Sequence, residues 1–191
     1  MAKIGLLHPR YSVITITQNP DGGDVEAYGA VKTFAKAIRA STSLNISQAE
    51  LYADDDLAEI ANEFINGQLT FETDDIEDDV EAEITGATVD TDGDVIHSTT
   101  DVAPYVRFGV IIRRYKNKKS QYRGLIFTKV IFDAIPDDYE TKGETIVFKT
   151  STMTAKFLGN VDGEWKRKSK WLESLEEADA WITAKLKPAT T

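Results

Sequence analysis

The stretch PYVRFGVIIRRYKNKKSQYRGLIFTKVIF, residues 104–132, predicts the central feature of the fold. Its two halves are rich in the β-branched and aromatic residues that strands favour, and the polar segment KNKKS separates them. We therefore expect a long β-hairpin. Its tip, at about 113–121, is strongly basic and contains Arg113, Arg114, Lys116, Lys118 and Lys119.

Segments on both sides of this hairpin also predict strands. YSVITITQ (11–18) is β-branched and ends at the turn sequence NPDGGD, while GQLTFET (67–73) and ETIVFKTSTMTAKFLG (144–159) have similar character. Residues 34–47 alternate in polarity, which places an apolar set on a single face: Phe34, Ile38, Ala40, Leu44 and Ile46. Strands therefore dominate the predicted fold.

Two helices are predicted beside the strands. Asp74 and Glu77 form a capping box before a short helix over about 75–85, which ends at Gly86 and has the apolar positions Ile76, Val80 and Ile84. Ser174 and Glu177 repeat the pattern before a second helix over about 174–186, which ends before Pro188 and has the apolar face Leu175, Ala178, Trp181, Ile182 and Leu186. The predicted fold class is mainly β (α+β), a β-sandwich or partial barrel with these two helices.

Length and composition indicate one folded domain. A chain of 191 residues with 41% hydrophobic residues can bury a full core, and we expect a single domain over 1–191 with an N-terminal arm at about 1–25. The chain has no cysteine, which excludes disulfides, thiolate metal sites and thiol catalysis. No apolar run approaches the length of a membrane span, and the short one at the start predicts no secretory signal.

Charge is divided into an acidic block and a basic block. Residues 40–106 contain 18 Asp and Glu but no Lys or Arg, within a chain of net charge −10. Residues 107–123 contain seven Lys and Arg and no acid. Either the blocks are two solvated surfaces, or the basic block of one copy contacts the acidic block of another.

Residues 52–55 spell YADD, the tetrad found at the catalytic turn of reverse transcriptases. In those enzymes the carboxylates hold metal ions at a hairpin tip between apolar strands. Here the following residues, DLAEIANEF, are polar and helix-leaning, and the surrounding block has no cation to hold a polyanion. We therefore interpret the match as a coincidence.

A second motif, DTDGDVIHSTTD (90–101), imitates a calcium-binding loop. Its sixth position is Val95, where the sharp turn requires glycine, and its twelfth is Asp101, where the loop has a longer bidentate Glu. The Asp-Gly pair between apolar residues favours a hairpin turn instead. We predict a structural turn there, without calcium.

The sequence contains no pattern typical of a catalytic or metal site. His8 and His97 are far apart, and neither a nucleophile elbow nor a phosphate-binding glycine loop is present. The three tryptophans, Trp165, Trp171 and Trp181, could form a sugar-binding platform, but Trp181 lies on an apolar helix face that predicts core packing. We expect no enzyme, no cofactor and no metal site.

The order of several segments resembles the major tail proteins of long-tailed, non-contractile bacteriophages, the subunits that form the tail tube. The segments are ELYADDD, LTFETDDIE, ITGATVDTDG, DVAPYVRFGVIIRR, IFTKVIFDAIPDDYETKGETIVFKT and VDGEW, and together they span about 47–166. Each is unspecific alone, and the resemblance lies in their order. The resemblance also accounts for YADD, because that family has a similar motif at the end of a strand.

The resemblance implies a β-sandwich or partial barrel whose inner sheets join, in a ring of six copies, into one continuous β-barrel. Rings would stack into a hollow tube through which phage DNA passes without specific binding. The implied partners are further copies of the chain, a tape-measure protein, and tail-terminator and distal tail proteins. The implied location is the virion, after assembly in the host cytoplasm. Some relatives append an immunoglobulin-like domain, which we do not expect after the final KPATT.

Two expectations join the charge pattern to this resemblance. The basic tip should project beyond its paired strands and make an intersubunit contact through Arg113, Arg114, Lys116, Lys118 and Lys119. The tube should have a net negative lumen supplied from residues 50–101, with the acidic helix on the outer flank. The alternative function is a monomeric β-sandwich that binds a sugar or calcium.

Overall fold

The computed structural model of the protein describes residues 3–19, 23–53, 56–136, 141 and 150–187. Within these ranges the strands are β1 (Lys3–Gln18), β2 (Asp24–Tyr28), β3 (Lys32–Thr33), β4 (Ala37–Ala53), β5 (Asp56–Thr73), β6 (Thr88–Val89), β7 (Val95–Ile96), β8 (Tyr105–Lys116), β9 (Lys119–Phe132), β10 (Ser151–Leu158) and β11 (Lys166–Lys168). The helices are α1 (Asp78–Thr85) and α2 (Leu175–Leu186).

Most strands belong to one antiparallel sheet. Its order is β2-β1-β8-β9-β10-β5-β4, with β3 paired to β1 and β11 paired to β9, while β6 and β7 form a separate hairpin. The sheet curls until β1 contacts β4, but no ladder of hydrogen bonds joins these two strands in the described part of the chain. The fold is mainly β, with a partly open barrel and two helices, which confirms the predicted fold class.

The interior of the curled sheet is an aromatic core. The ring of Phe34 lies 5.2 Å from that of Phe108 and 5.4 Å from that of Phe132. Tyr11 and Phe71 contact the same ring edge to face. All five side chains are buried, and aromatic pairs in these geometries add stability beyond the area they bury. The core therefore joins strands that are distant in the sequence.

α2 covers the outer face of β8 and β9, as its apolar pattern predicts. Ser174 is the N-cap, and its hydroxyl accepts a hydrogen bond from the amide of Glu177 at 3.1 Å. The fully buried face consists of Ala178, Ile182 and Leu186, with Leu175 and Trp181 partly buried beside it. The predicted helix over about 174–186 is confirmed, whereas Pro188 lies outside the described residues.

α1 begins later than the sequence predicts. It starts at Asp78, and Glu77 is the N-cap without a side-chain cap bond, so the capping box from Asp74 is wrong. The Asp74 carboxylate instead accepts a hydrogen bond from the backbone amide of Lys36 at 3.0 Å, which draws it away from the helix. The predicted end is confirmed, because Gly86 has φ 81° at the C-cap, a conformation that glycine adopts easily.

The N-terminal segment is part of the sheet. β1 pairs with β8 on one side and with β2 and β3 on the other, so residues 3–18 do not form the free arm expected over about 1–25. The reason is packing, because Tyr11 and Ile14 of β1 are buried. Of the predicted strand over 144–159, the described part is β10, and residues 144–149 lie outside the description.

Candidate assembly surfaces

β8 and β9 form the predicted basic hairpin and remain paired up to its tip. Lys116 pairs with Lys119, and the turn consists of Asn117 at φ 50° and Lys118 at φ 62°. Two left-handed residues in a two-residue turn match the twist of the flanking strands. The expectation that this tip projects beyond its paired strands is therefore wrong. We call Tyr115 to Lys119 the basic turn.

The five residues expected to contact a neighbour divide into two groups. Arg113 donates to the Ser120 hydroxyl at 2.9 and 3.2 Å, and Arg114 donates to Oε1 of Gln121 at 2.8 and 3.0 Å. The Arg114 guanidinium also lies 3.7 Å from the centre of the Trp171 ring. No ion pair occurs, within the described ranges, at Lys116, Lys118 and Lys119. The arginines brace the hairpin, and the lysines are available to another molecule.

The segment that extends beyond the sheet lies in β4 and β5. β10 pairs with β5 only between Gly67 and Thr73, so residues 45–53 and 56–66 pair only with each other in the described part of the chain. We call this two-stranded ribbon the β4–β5 arm. Nine paired residues at roughly 3.3 Å each give it a length of about 30 Å.

Both faces of the arm are exposed, although it contains large apolar side chains. Ile46 lies opposite Phe64 and shares a face with Ile60, and each isoleucine is about half exposed. Leu51 lies on the other face and is 58% exposed. The charged side chains that the structure describes in the arm are all acidic: Glu50, Glu59 and Glu63. The arm is therefore an apolar, acidic surface.

The arm was not predicted, because the polar character of DLAEIANEF favours a helix over a strand. These residues belong to β5 and pair with β4, so that reason for rejecting the polymerase motif is wrong. The second reason for rejecting it, the lack of nearby cations in the sequence, still holds. Tyr52 and Ala53 end β4, whereas Asp54 and Asp55 lie outside the described residues. The only sequence signal for the arm was the uninterrupted length of the two segments without glycine or proline before Gly67.

The acidic start of α1 and the basic turn lie at opposite ends of the strands β5 and β9. β5 and β9 are both antiparallel to β10, so they run in the same direction. β9 starts at the basic turn, and β5 ends next to α1, whose first turn contains Asp78, Asp79 and Glu81. One copy thus has an acidic surface at the end of β5, whereas the acidic β4–β5 arm extends from the start of β5, toward the end where the basic turn lies.

A groove of about 750 Å³ lies beside the start of α1. Its floor is apolar and includes Leu6, Leu7, Pro9, Phe34 and Val80. Its acidic rim consists of Asp74, Asp75, Glu77 and Asp79. Lys36 pairs with Asp74 at 3.3 Å, and within the described ranges the other rim carboxylates have no cationic partner. We call this feature the acidic groove.

Local hydrogen bonds favour the charged form of one rim residue. The backbone amide of Asp75, followed by the amide and ammonium of Lys36, holds the pKa of the Asp74 carboxyl below its ordinary value. A carboxylate that accepts amide hydrogen bonds releases its proton more readily. This part of the rim therefore stays negative at moderately low pH.

The loop at residues 90–94 is the predicted hairpin turn. The Asp90 carboxylate accepts hydrogen bonds from the backbone amides of Asp92 and Asp94, each at 2.9 Å, and β6 and β7 flank the turn. Both amides bond to the same oxygen, Oδ1, so the Asp90 side chain stabilises the turn. No group of three or more metal-ligating side chains is found in the described ranges.

The histidines and tryptophans have local partners. His8 contacts Asp179 at 2.9 Å, and His97 contacts Glu81 at 3.3 Å. The ring of Trp165 stacks on Phe64, that of Trp171 contacts Arg114 and Arg123, and Trp181 packs above Gly124. Each ring thus packs against a different set of side chains, an arrangement that does not favour a sugar-binding row of exposed rings.

Further comparisons concern the chain as a whole. Neither of the two described helices has the length and apolar character needed to cross a membrane. No known family model matches the chain, and no curated protein is significantly similar to it.

Proposed function

We propose that this chain is a structural subunit that assembles with copies of itself into a hollow tube, the tail tube of a long-tailed bacteriophage. The observation that carries the proposal is the β4–β5 arm, about 30 Å of ribbon with exposed apolar side chains on both faces. An isolated two-stranded hairpin is only marginally stable in water. Such an arm therefore gains most of its stability from contact with another molecule.

A second copy of the chain is the partner that this geometry favours. β4 is the last strand of the described sheet, so its outer edge presents unpaired backbone groups over a long distance. Edges of this kind pair readily with strands of other chains. Edge-to-edge pairing around a ring of six copies would produce the continuous inner barrel that the sequence resemblance implies.

The opposite charges of the basic turn and the acidic groove favour a head-to-tail arrangement. A contact between different surfaces of identical subunits closes into a ring or continues as a stack. The basic turn of one copy and the acidic groove of the next would then attract each other. Tape-measure, tail-terminator and distal tail proteins are the further partners in this proposal.

The proposed tube has a net negative lumen and lets DNA pass without binding it specifically. The chain has ten more acids than bases, and an acidic bore would repel the phosphate backbone of the genome. A structure of the assembled tube tests this, because a bore lined mainly by Lys and Arg would contradict it.

Shortening the arm tests the proposed assembly. Residues 48–62 are replaced by Asn-Gly, so that Ser47 and Glu63, which pair directly, flank a two-residue turn. We expect rings or tubes of the wild-type chain in electron micrographs, and a folded monomer for the shortened chain. Thr91→Asn, in the turn between β6 and β7, is the control that should still assemble. Wild-type protein that stays monomeric at every concentration in sedimentation would contradict the proposal.

A further inference from the structure

The acidic groove has an unusual combination of an apolar floor and an acidic rim. Phe34 and Val80 supply buried parts of the floor, while Asp75, Glu77 and Asp79 surround it without cationic partners in the described residues. A complementary occupant would place an apolar group on the floor and positive charges against the rim.

The basic turn has that combination. Tyr115 is 50% exposed, and Lys116, Lys118 and Lys119 follow it in the same short turn, where Lys116 pairs with Lys119. The turn is also held in shape, because its strands pair to the tip and Arg113 and Arg114 bond across them. A rigid element loses little conformational entropy when it docks.

No residue of the basic turn lines the acidic groove of its own copy, and the strands of the turn stay paired to the tip, so a contact between these two surfaces joins two copies. We infer that the acidic groove of one copy receives the basic turn of the next, with Tyr115 on the apolar floor and the three lysines against the acidic rim. This inference rests on the proposed self-assembly and identifies one of its interfaces.

The other protruding element is a poor occupant of the same groove. The β4–β5 arm presents Glu50, Glu59 and Glu63 and no described cation, so its charge has the same sign as the rim. Like charges brought together at an interface disfavour binding. The arm and the basic turn would therefore serve different contacts.

Cross-linking can test the pairing directly, because the full chain contains no cysteine. One preparation has Lys119→Cys, a second has Glu77→Cys, and the two are mixed under mild oxidation. We expect a disulfide-linked dimer in the mixture and at least about tenfold less in either preparation alone. A chain with both substitutions should form a ladder of multimers, which a head-to-tail contact produces and a two-fold contact does not.

Charge reversal provides a second, independent measurement. Lys116→Glu, Lys118→Glu and Lys119→Glu together should weaken association about tenfold at low salt, since several weak ion pairs are lost. Adding Asp75→Lys and Glu77→Lys should restore most of it. The matched control reverses three other exposed lysines, Lys156, Lys170 and Lys187, with the same change in net charge. Tyr115→Ala should weaken association at high salt as well.

The outcomes separate this inference from the proposed function. Assembly that continues without the mixed cross-link, and without rescue by the charge swap, overturns the inference and leaves the tube proposal standing. A wild-type chain that never assembles overturns both. Both proposals would also be overturned if the chain stayed monomeric and bound a small cationic compound in the groove.

Discussion

The ring of Phe64 stacks on the ring of Trp165, with centroids 4.4 Å apart and planes 14° from parallel. Phe64 belongs to the base of the β4–β5 arm, and Trp165 follows the turn after β10. Phe157 extends the stack at 5.7 Å from Trp165. These rings therefore fix the direction in which the arm leaves the sheet.

Trp165→Ala should reduce assembly more than it reduces the stability of the fold. The stacked contact is partly buried, so we expect a loss of about 1–2 kcal/mol in the free energy of unfolding, including the aromatic pair itself. Assembly should decline more steeply, because the arm would lose its fixed direction. Urea denaturation and sedimentation velocity measure the two effects.

Trp171→Ala is the matched control for that variant. Its ring contacts Arg114 and Arg123 of the other hairpin and has no part in the arm. Comparable assembly defects in both variants would show that the Phe64 contact has no special role.

Gly124→Ala should weaken the packing of α2 against the sheet. A Cβ at this position would collide with the indole of Trp181 and lie 3.0 Å from Ile182. Overpacking of this kind costs about 1–3 kcal/mol, measured as a lower free energy of unfolding in urea. Gly5→Ala, with no atom within 4 Å of the added methyl group, should be nearly neutral. Equal stability of the two variants would contradict the packing of α2.

Ile182→Asp should strongly destabilise the monomer. Ile182 is fully buried in the cluster under α2, so the change removes apolar contacts and buries an unpaired charge. We expect a loss of more than about 3 kcal/mol by thermal or urea unfolding. Ala184→Asp, at an exposed position of the same helix, should change stability little. A defect limited to assembly would make α2 an interface helix instead.

Asp74→Asn should reduce stability at neutral pH and have no effect in strong acid. Amide hydrogen bonds lower the pKa of Asp74 in the folded state below its ordinary value of 3.8. Its stabilising contribution is therefore present above that value and disappears as the pH falls through the lower folded pKa. The side chain is well exposed, so the difference should stay within about 1 kcal/mol. Urea unfolding of both chains from pH 2 to 7 measures it, and a difference that persists at pH 2 would exclude this cause.

Sequence patterns predicted the elements that depend on residues close together in the chain. Ser174 and the four-residue spacing of Ala178, Ile182 and Leu186 predict α2, because capping and helical periodicity act within a few residues. The β-branched runs around KNKKS predict β8 and β9 for the same reason. The adjacent pair Asp92-Gly93 likewise predicts the turn between β6 and β7.

The candidate surfaces were only partly predictable. The sequence pattern placed five basic residues in one predicted contact set. It could not separate the bracing pair, Arg113 and Arg114, from the three lysines, since that depends on Ser120 and Gln121 across the hairpin. Asp74 was mistaken for a helix cap because its partner, Lys36, is distant in sequence.

By itself, the sequence determined a mainly β chain with a capped C-terminal helix, no cysteine chemistry, and two blocks of opposite charge. Those properties follow from residue type and short-range spacing. Only the tertiary structure decided that β1 is an internal strand, that the acidic β4–β5 hairpin and not the basic one extends beyond the sheet, and that the acidic start of α1 lies at the opposite end of the strands from the basic turn. The reason is that strand pairing is non-local: whether a strand is covered, paired or free depends on which distant strand lies beside it. Here β10 ends at Leu158, so in the described part of the chain no third strand pairs with the arm.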